Sequence, residues 1–414
     1  MTTTNKRLHL FEGFGIELEY MIVDAVSLDV RPIADKILQA AAGEIVSDFE
    51  DGPIAWSNEL ALHVIEVKTN GPTKSLAQVT GDFQKNVTHI NRLASEFGAK
   101  LMPTAMHPWM DPHRELQLWP HEHNPVYEAY NRIFDCRGHG WANLQSTHLN
   151  LPFGNDDEFG RLHAAIRILL PLLPALAASS PVADGHLAGQ LDYRLEVYRN
   201  NSRKIPSITG RVIPEPIFTE ADYDREIFQR NYRDIAPFDP EGILQQPFLN
   251  SRGAIARFER GAIEIRVLDI QECVTADVAI CEFIGRALEL FVRETSVSYQ
   301  SQQAVAVDPL ADLFLEVIRK GERAVVEAPE LFEIYGIKHP TSVAEIWHSL
   351  LERVEKSFGP MSMSTATRQT IRAILEHGPL ARRIVQQLGG DSGMLPDIYL
   401  ELCECLERNQ MFSI

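Results

Sequence analysis

Three stretches of otherwise apolar sequence each place two polar side chains two residues apart. They are Glu17 and Glu19 in GIELEYMIVD (Gly15 to Asp24), His148 and Asn150 in NLQSTHLNL (Asn143 to Leu151), and Glu264 and Arg266 in GAIEIRVLD (Gly261 to Asp269). Strand side chains alternate between faces, so residues at i and i+2 share one. A fourth stretch, ALHVIEVKT (Ala61 to Thr69), carries Glu66, with Glu59 just ahead of it. One Glu-x-Glu alone reads as a solvated face. Four such features on separate strands describe acids gathered on one face of a sheet. Burying carboxylates without partners costs several kcal/mol each, so this face calls for cations. Hard oxygen donors with one imidazole, one amide and no thiolate suit Mg2+ or Mn2+ better than zinc. Glu59 lies seven residues before Glu66, which a continuous strand sends to the opposite face. It therefore belongs to the preceding loop or to a bulge if both serve one site.

A second feature is cationic. Arg194, Arg199, Arg203, Lys204 and Arg211 crowd a proline-punctuated loop, Tyr193 to Pro214. Cations beside acidic strands suit a site for polyphosphate and metal, since the planar Arg fork bonds phosphate bidentately. Four histidines, His107, His113, His121 and His123, share one proline-rich segment with Asp111, Glu115 and Glu122. Their spacing fits no tight zinc pattern, and the segment reads as a loop near a substrate mouth.

Bulk composition narrows the partners. Lys and Arg total 39 against 57 Asp and Glu, a net charge of −18, which repels phosphate backbones and anionic lipid. Nucleic-acid and membrane partners are not expected. The five cysteines form no C-x-x-C pair and read as free thiols of a reducing cytosol. MTTTNKRLHLFEGFG lacks the apolar core of a signal peptide. The most apolar run, Ile166 to Ala178, is too short to span a bilayer and is broken by Pro171 and Pro174. It reads as a buried, kinked helix in a cytoplasmic protein.

The elements that must position these residues follow from periodicity. Leu76, Val79, Phe83, Val87, Ile90, Leu93 and Phe97 form one helical stripe between Pro72 and Gly98. The strand Lys100 to Met106 follows, which suggests a crossover unit. Helices are expected over Asp308 to Glu327, Ser342 to Phe358, Thr365 to Leu388 and Pro396 to Asn409. The chain divides into a catalytic part, 1–305, and a helical C-terminal part, 306–414, packed on it.

GIELE, the HPW after LMPTAM, the HLN of the central strand and GAIEIRVLD together resemble the glutamate–cysteine ligase family 2, the carboxylate–amine ligases, and more distantly glutamine synthetase. The likeness runs from Phe14 to Arg286. It implies an α+β fold: a curved, mostly antiparallel sheet of the glutamine synthetase and guanidino kinase kind, helices outside, and the site on the concave face. It implies ATP with Mg2+ or Mn2+ held by Glu17, Glu19 and Glu264, joined by Glu66 and His148; Glu59 is a further candidate ligand from its place just ahead of Glu66. Arg266 is implied to contact phosphate, and Arg203 and Arg194 fall in the loop where the family carries another Arg. Where relatives read His-x-His, this chain has His148-Leu149-Asn150, so Asn150 offers an oxygen to metal or substrate instead. Where many read Gly-Thr-His-Pro-Phe, it has Ala105-Met106-His107-Pro108-Trp109, a change that bears on the acceptor pocket. The implied reaction joins a small-molecule carboxylate to an amine through an acyl phosphate, in the γ-glutamyl manner. A phosphotransferase like the guanidino kinases, or a non-catalytic regulatory protein of the same fold, are the alternatives; the latter would have lost the acids, which are intact here. A homo-oligomer is compatible with this reading.

Overall fold

The computed structural model describes residues 7–359 and 361–413. Ten strands matter here: β1 Gly15–Asp24, β2 Asp48–Asp51, β3 Ile54–Asn58, β4 Val64–Thr69, β5 Ala99–Met102, β6 Ser146–Pro152, β7 Val182–Ala183, β8 His186–Leu187, β9 Ala254–Arg257 and β10 Ala262–Asp269. Apart from the small β7–β8 ribbon they form one open sheet, ordered β2-β3-β4-β1-β6-β10-β9, with β5 beside β1. Every pairing in it is antiparallel. With helices outside, this is the α+β architecture that the motifs imply.

β1 shows why the sheet has a working face. Ile16, Leu18, Tyr20 and Ile22 point into the main hydrophobic core. On the other face, Glu17 and Glu19 come first, and Met21 and Val23 enter a second apolar cluster with Met102, Leu395, Tyr399 and Leu402. One face is therefore polar at one end and packed shut at the other.

The helix α1, Leu76–Ser95, is capped by the Ser75 side chain and buries Val79, Phe83, Val87 and Ile90. It links β4 to β5, which flank β1 on opposite edges, so the crossover is present. β5 ends at Met102, earlier than the pattern suggests, because Pro103 has no N–H to donate and Thr104 takes a φ of 81°. The apolar run ending at Ala178 is fully buried and changes helical form at Leu170 and again at Pro174.

The C-terminal helices are α2 Val274–Val292, α3 Val307–Lys320, α4 Val343–Phe358, α5 Thr365–His377, α6 Leu380–Leu388 and α7 Leu395–Arg408. The stretch Thr365 to Leu388 is two helices, not one. Gly378, at a φ of 87°, and Pro379 break it. α3 likewise stops at Lys320, where Gly321 has a φ of 60°. Helices after residue 306 share both apolar clusters with the sheet. The buried Glu272 carboxylate, just past β10, accepts from Arg383 Nη1 at 2.6 Å and from the Phe412 N–H at 3.2 Å. That bond ties the end of the chain to the sheet. No helix among the described residues is long and apolar enough to cross a membrane.

The His-Pro-Trp segment lies away from the acids. His107 is buried; its Nε2–H donates to the Leu28 carbonyl at 2.8 Å and its Nδ1 accepts the Trp109 N–H at 3.2 Å. Trp109 packs edge-on against Tyr399 of α7. The departure from Gly-Thr-His-Pro-Phe thus bears on docking of the C-terminal helices, and His107 and Trp109 line neither of the cavities described below. His63 is similarly buried, with Nε2–H donating to the Ala142 carbonyl at 2.8 Å. Burial holds both imidazoles down, each at about 4. They stay neutral in the fold but gain protons below about 6.5 when unfolded, so the unfolded chain binds more protons in that window. Stability is therefore complete above about pH 6.5 and falls as pH drops toward 4. Melting temperature measured across this range should fall steeply, and His107→Gln should flatten the slope. An unchanged slope would show that His107 contributes nothing to it.

Candidate active site

The strand pairing lays the polar residues out in rows. Across β3, β4 and β1, Ser57 faces Glu66 and Glu66 faces Glu19. In the next row Lys68 faces Glu17, and Glu17 faces His148 of β6. In the third, Asn150 faces Glu264 of β10. Period-two alternation on four strands therefore puts the acids on one face, over a core of Ile and Leu. Glu59 joins them from the loop between β3 and β4, outside either strand.

Hydrogen bonds hold the set together. Glu17 accepts from His148 Nδ1 at 2.9 Å and from Asn150 Nδ2 at 3.1 Å. Glu19 accepts from the Ser146 N–H at 2.7 Å and its hydroxyl at 2.8 Å. Ser57 donates to Glu66 at 2.7 Å, and Lys68 Nζ lies 3.0 Å from the same carboxylate. One ligand atom each from Glu17, Glu66 and His148 lies within 4.8 Å of the others, and so with Glu19, Glu59 and Glu66. Both sets could hold a hard cation, and they share Glu66.

The charges are not balanced by the protein alone. Burial pushes Glu17 up, yet the hydrogen bond and charge of His148, with Lys68 and Arg266, bring it down to about 2. Burial works against the charged His148 imidazole, but Glu17 and Glu19 raise it to about 9. Glu66 is pushed up to about 7, first by burial and then by Glu17, against the pull of Lys68. Glu59 is raised well above the usual carboxylate range by burial, with Glu19 and Glu66 adding to it. Two of the acids are thus short of positive charge. Glu264 is in neither cage: Arg266 Nε lies 2.9 Å and Arg257 Nη1 3.2 Å from it.

β10 is not a regular strand. Its pairing with β6 runs in register to Ile265, opposite Leu149, and resumes with Leu268 opposite Thr147. Arg266 and Val267 therefore both oppose His148, which is a β-bulge. The extra residue reverses the alternation beyond it. Asp269 lands opposite Ser146 on the polar face, whereas unbroken alternation would drive it into the core. There it pairs with Arg194, which is buried. The Arg194 guanidinium also donates to the Arg266 carbonyl, at 3.4 Å from each terminal nitrogen. Arg194, expected to act in catalysis, thus lines the aromatic cavity with its guanidinium paired to Asp269 and bonded to the bulge that carries Arg266. Arg203 is exposed on a turn and lines neither cavity.

Two cavities meet at the acids. One, of about 930 Å3, is polar, with Lys68, Arg257 and Arg260 beside Glu17, Glu66 and Glu264. The other, of about 430 Å3, is walled by Tyr127, Tyr130, Trp141, Tyr198 and Phe248 over Glu19. Glu59, His148 and Arg266 line both. Sequence reasoning overlooked Lys68, although Glu66-x-Lys68 repeats the spacing of Glu264-x-Arg266. It also overlooked Arg257, whose place depends on how β9 pairs with β10. The four loop histidines and their neighbours form no cation cage among the described residues.

Comparison with known proteins shows the family and agrees with the fold. The sequence model of glutamate–cysteine ligase family 2 matches residues 13–401, which takes in most of the C-terminal helices as well as the motifs. An uncharacterized protein of Archaeoglobus fulgidus is 32% identical over 399 residues, 96% of this chain and 99% of its own. A "Putative glutamate--cysteine ligase 2" of Jannaschia sp. is 28% identical over 200 residues, 46% of this chain and 47% of its own. The match thus spans about half of that relative. Among solved structures, glutamate–cysteine ligase of Francisella tularensis, determined with AMP, superposes with a TM-score of 0.54 at 12% identity. The match covers 97% of this chain and 89% of that one, a likeness of fold.

The raised carboxyls make a proton-linked prediction. Metal ligands must be deprotonated, so a cation entering the cages displaces protons from Glu59 and Glu66 near pH 7. Calorimetric titration with Mn2+ in two buffers of different ionisation enthalpy should give different apparent enthalpies. Glu66→Gln should shrink that difference. Equal enthalpies for the parent protein would remove these acids from the ligand set.

Proposed function

Because the chain belongs to glutamate–cysteine ligase family 2, we propose that it is an ATP-dependent ligase that joins a carboxylate to an amine. One observation supports the reading: a cation-rich polar cavity and an aromatic cavity meet at the acids, with Glu59, His148 and Arg266 lining both. Polyphosphate belongs on the polar side, where Lys68, Arg257 and Arg260 supply charge. The amine belongs on the other, and the substrate carboxylate between them, beside Arg266, which lines both. The acidic cages suit Mg2+ or Mn2+ in donor type and convergence, with Glu17, Glu19, Glu59, Glu66 and His148 as the holding residues and Glu264 beside them. A bound divalent ion would neutralise phosphate oxygens and orient the γ-phosphoryl group.

The protein's own part is positional, as in phosphoryl transfer generally. Arg266, aimed by the bulge and lining both cavities, meets the charge that develops as a substrate carboxylate oxygen attacks the γ-phosphate. Asn150 donates to Glu17 and keeps its amide oxygen for a ligand. The resulting acyl phosphate is then opened by the amine, giving amide and inorganic phosphate. A γ-glutamyl donor is the family's suggestion for the carboxylate.

Two measurements test this. Substrate labelled with 18O in the carboxyl group should pass one label to the released phosphate. Amide formed alongside unlabelled phosphate would rule out the acyl phosphate, and ADP formed without phosphate would make the protein a phosphotransferase. Second, Arg266→Lys should lower kcat about a hundredfold or more, because Lys keeps the charge and loses the fork. If Arg266 serves only its ion pair with Glu264, Lys will substitute, leaving kcat near the parental value and lowering the melting temperature.

A further inference from the structure

The aromatic cavity is larger and more apolar than cysteine requires. Helix Asn124–Phe134 contributes Tyr127 and Tyr130, the turn His139–Ala142 contributes Trp141, helix Tyr193–Tyr198 contributes Tyr198, and a loop contributes Phe248. The hydroxyls of Tyr127 and Tyr198 are tied to protein, the first accepting from Asn58 Nδ2 at 3.0 Å and the second donating to the Ser251 carbonyl at 2.9 Å. Their rings are left to line the space. Trp141 sits 5.2 Å from Tyr130 and stacks on Phe134, which fixes that wall. A volume of about 430 Å3 lies in the range of sites that enclose drug-sized ligands.

The charges of the lining are as informative. Among the described residues its Arg and Lys are Arg194 and Arg266, and each is held by a carboxylate, Asp269 and Glu264 respectively. A ligand bringing a carboxylate of its own into this cavity would bury it without an uncommitted Arg or Lys. An amine faces the opposite situation. It needs no such partner, because aromatic rings attract a nearby ammonium group.

Resting on the ligase reading above, we propose that the amine substrate is a primary amine on an aromatic frame, without a carboxylate of its own, rather than cysteine. The amine end would lie where the two cavities meet, beside Arg266 and the activated acyl group, and the ring would lie among Tyr130, Trp141 and Phe248.

Calorimetry on the full chain tests this with phenethylamine, L-phenylalanine and L-cysteine as probes. Phenethylamine should bind, and L-phenylalanine, the same frame with a carboxylate, should bind at least tenfold more weakly. Trp141→Ala should weaken phenethylamine at least tenfold. If Trp141→Ala fails to fold, Phe248→Ala gives the same reading, since Phe248 is exposed on its loop. Absence of phenethylamine binding, equal binding by Phe248→Ala, or tighter binding of cysteine would each overturn the proposal. A parallel assay of ADP formation over a panel of carboxylates separates the two levels. Turnover with cysteine in preference to aryl amines would refute this inference and leave the ligase reading standing. Phenethylamine binding as described, with no ADP from any pair, would refute the ligase reading and leave the aromatic site standing.

Discussion

Carboxylates do not gather on a dry protein surface unless something makes them. Glu17, Glu19, Glu59 and Glu66 converge beside the sheet, where each raises the cost of ionising its neighbours. Lys68 and His148 offset part of that repulsion. The remainder is visible in Glu59 and Glu66, whose carboxyls are pushed upward by burial and by the other acids. A backbone fixed by antiparallel ladders can impose such an arrangement because its hydrogen bonds and its apolar underside do not depend on the acids above. An entering divalent cation would relieve the strain, which is why we propose a cation site here.

The bulge in β10 is the second device. A regular strand would keep Glu264 and Arg266 on the polar face but turn Asp269 into the core. With one extra residue opposite His148, both needs are met: Val267 and Leu268 bury consecutively in the main core, and Asp269 emerges where Arg194 can reach it. The Arg194–Asp269 pair then anchors the carbonyl of Arg266. The residue proposed to meet the phosphates is thus aimed by a buried ion pair on the aromatic side. This physical route links the two cavities.

Much of this was legible before any coordinates. Alternation in GIELEYMIVD identifies which residues of β1 face the core, and the seven-residue gap to Glu66 already sends Glu59 to a loop or a bulge if both serve one site. Lys68 was legible too, by the same i, i+2 rule that picks out Arg266. Proline and glycine announced two boundaries that periodicity overran, at Pro103 and at Gly378–Pro379. The bulge was not legible, since GAIEIRVLD fits unbroken alternation; only pairing with β6 exposes the extra residue. Arg257, Arg194 and Arg203 show the same limit. Density of arginine along the chain says nothing about which one faces a carboxylate, which meets solvent and which overlooks the site.

The central claim is that the acid cages hold the divalent ions that position polyphosphate on the Lys68 and Arg257 side of the wall. Anomalous diffraction from crystals grown with Mn2+ and a non-hydrolysable ATP analogue tests it directly. The account predicts manganese peaks coordinated by Glu66 together with Glu17 and His148, or with Glu19 and Glu59, and phosphates in the polar cavity. Manganese peaks bound elsewhere, or phosphates among Tyr130, Trp141 and Phe248, would contradict it.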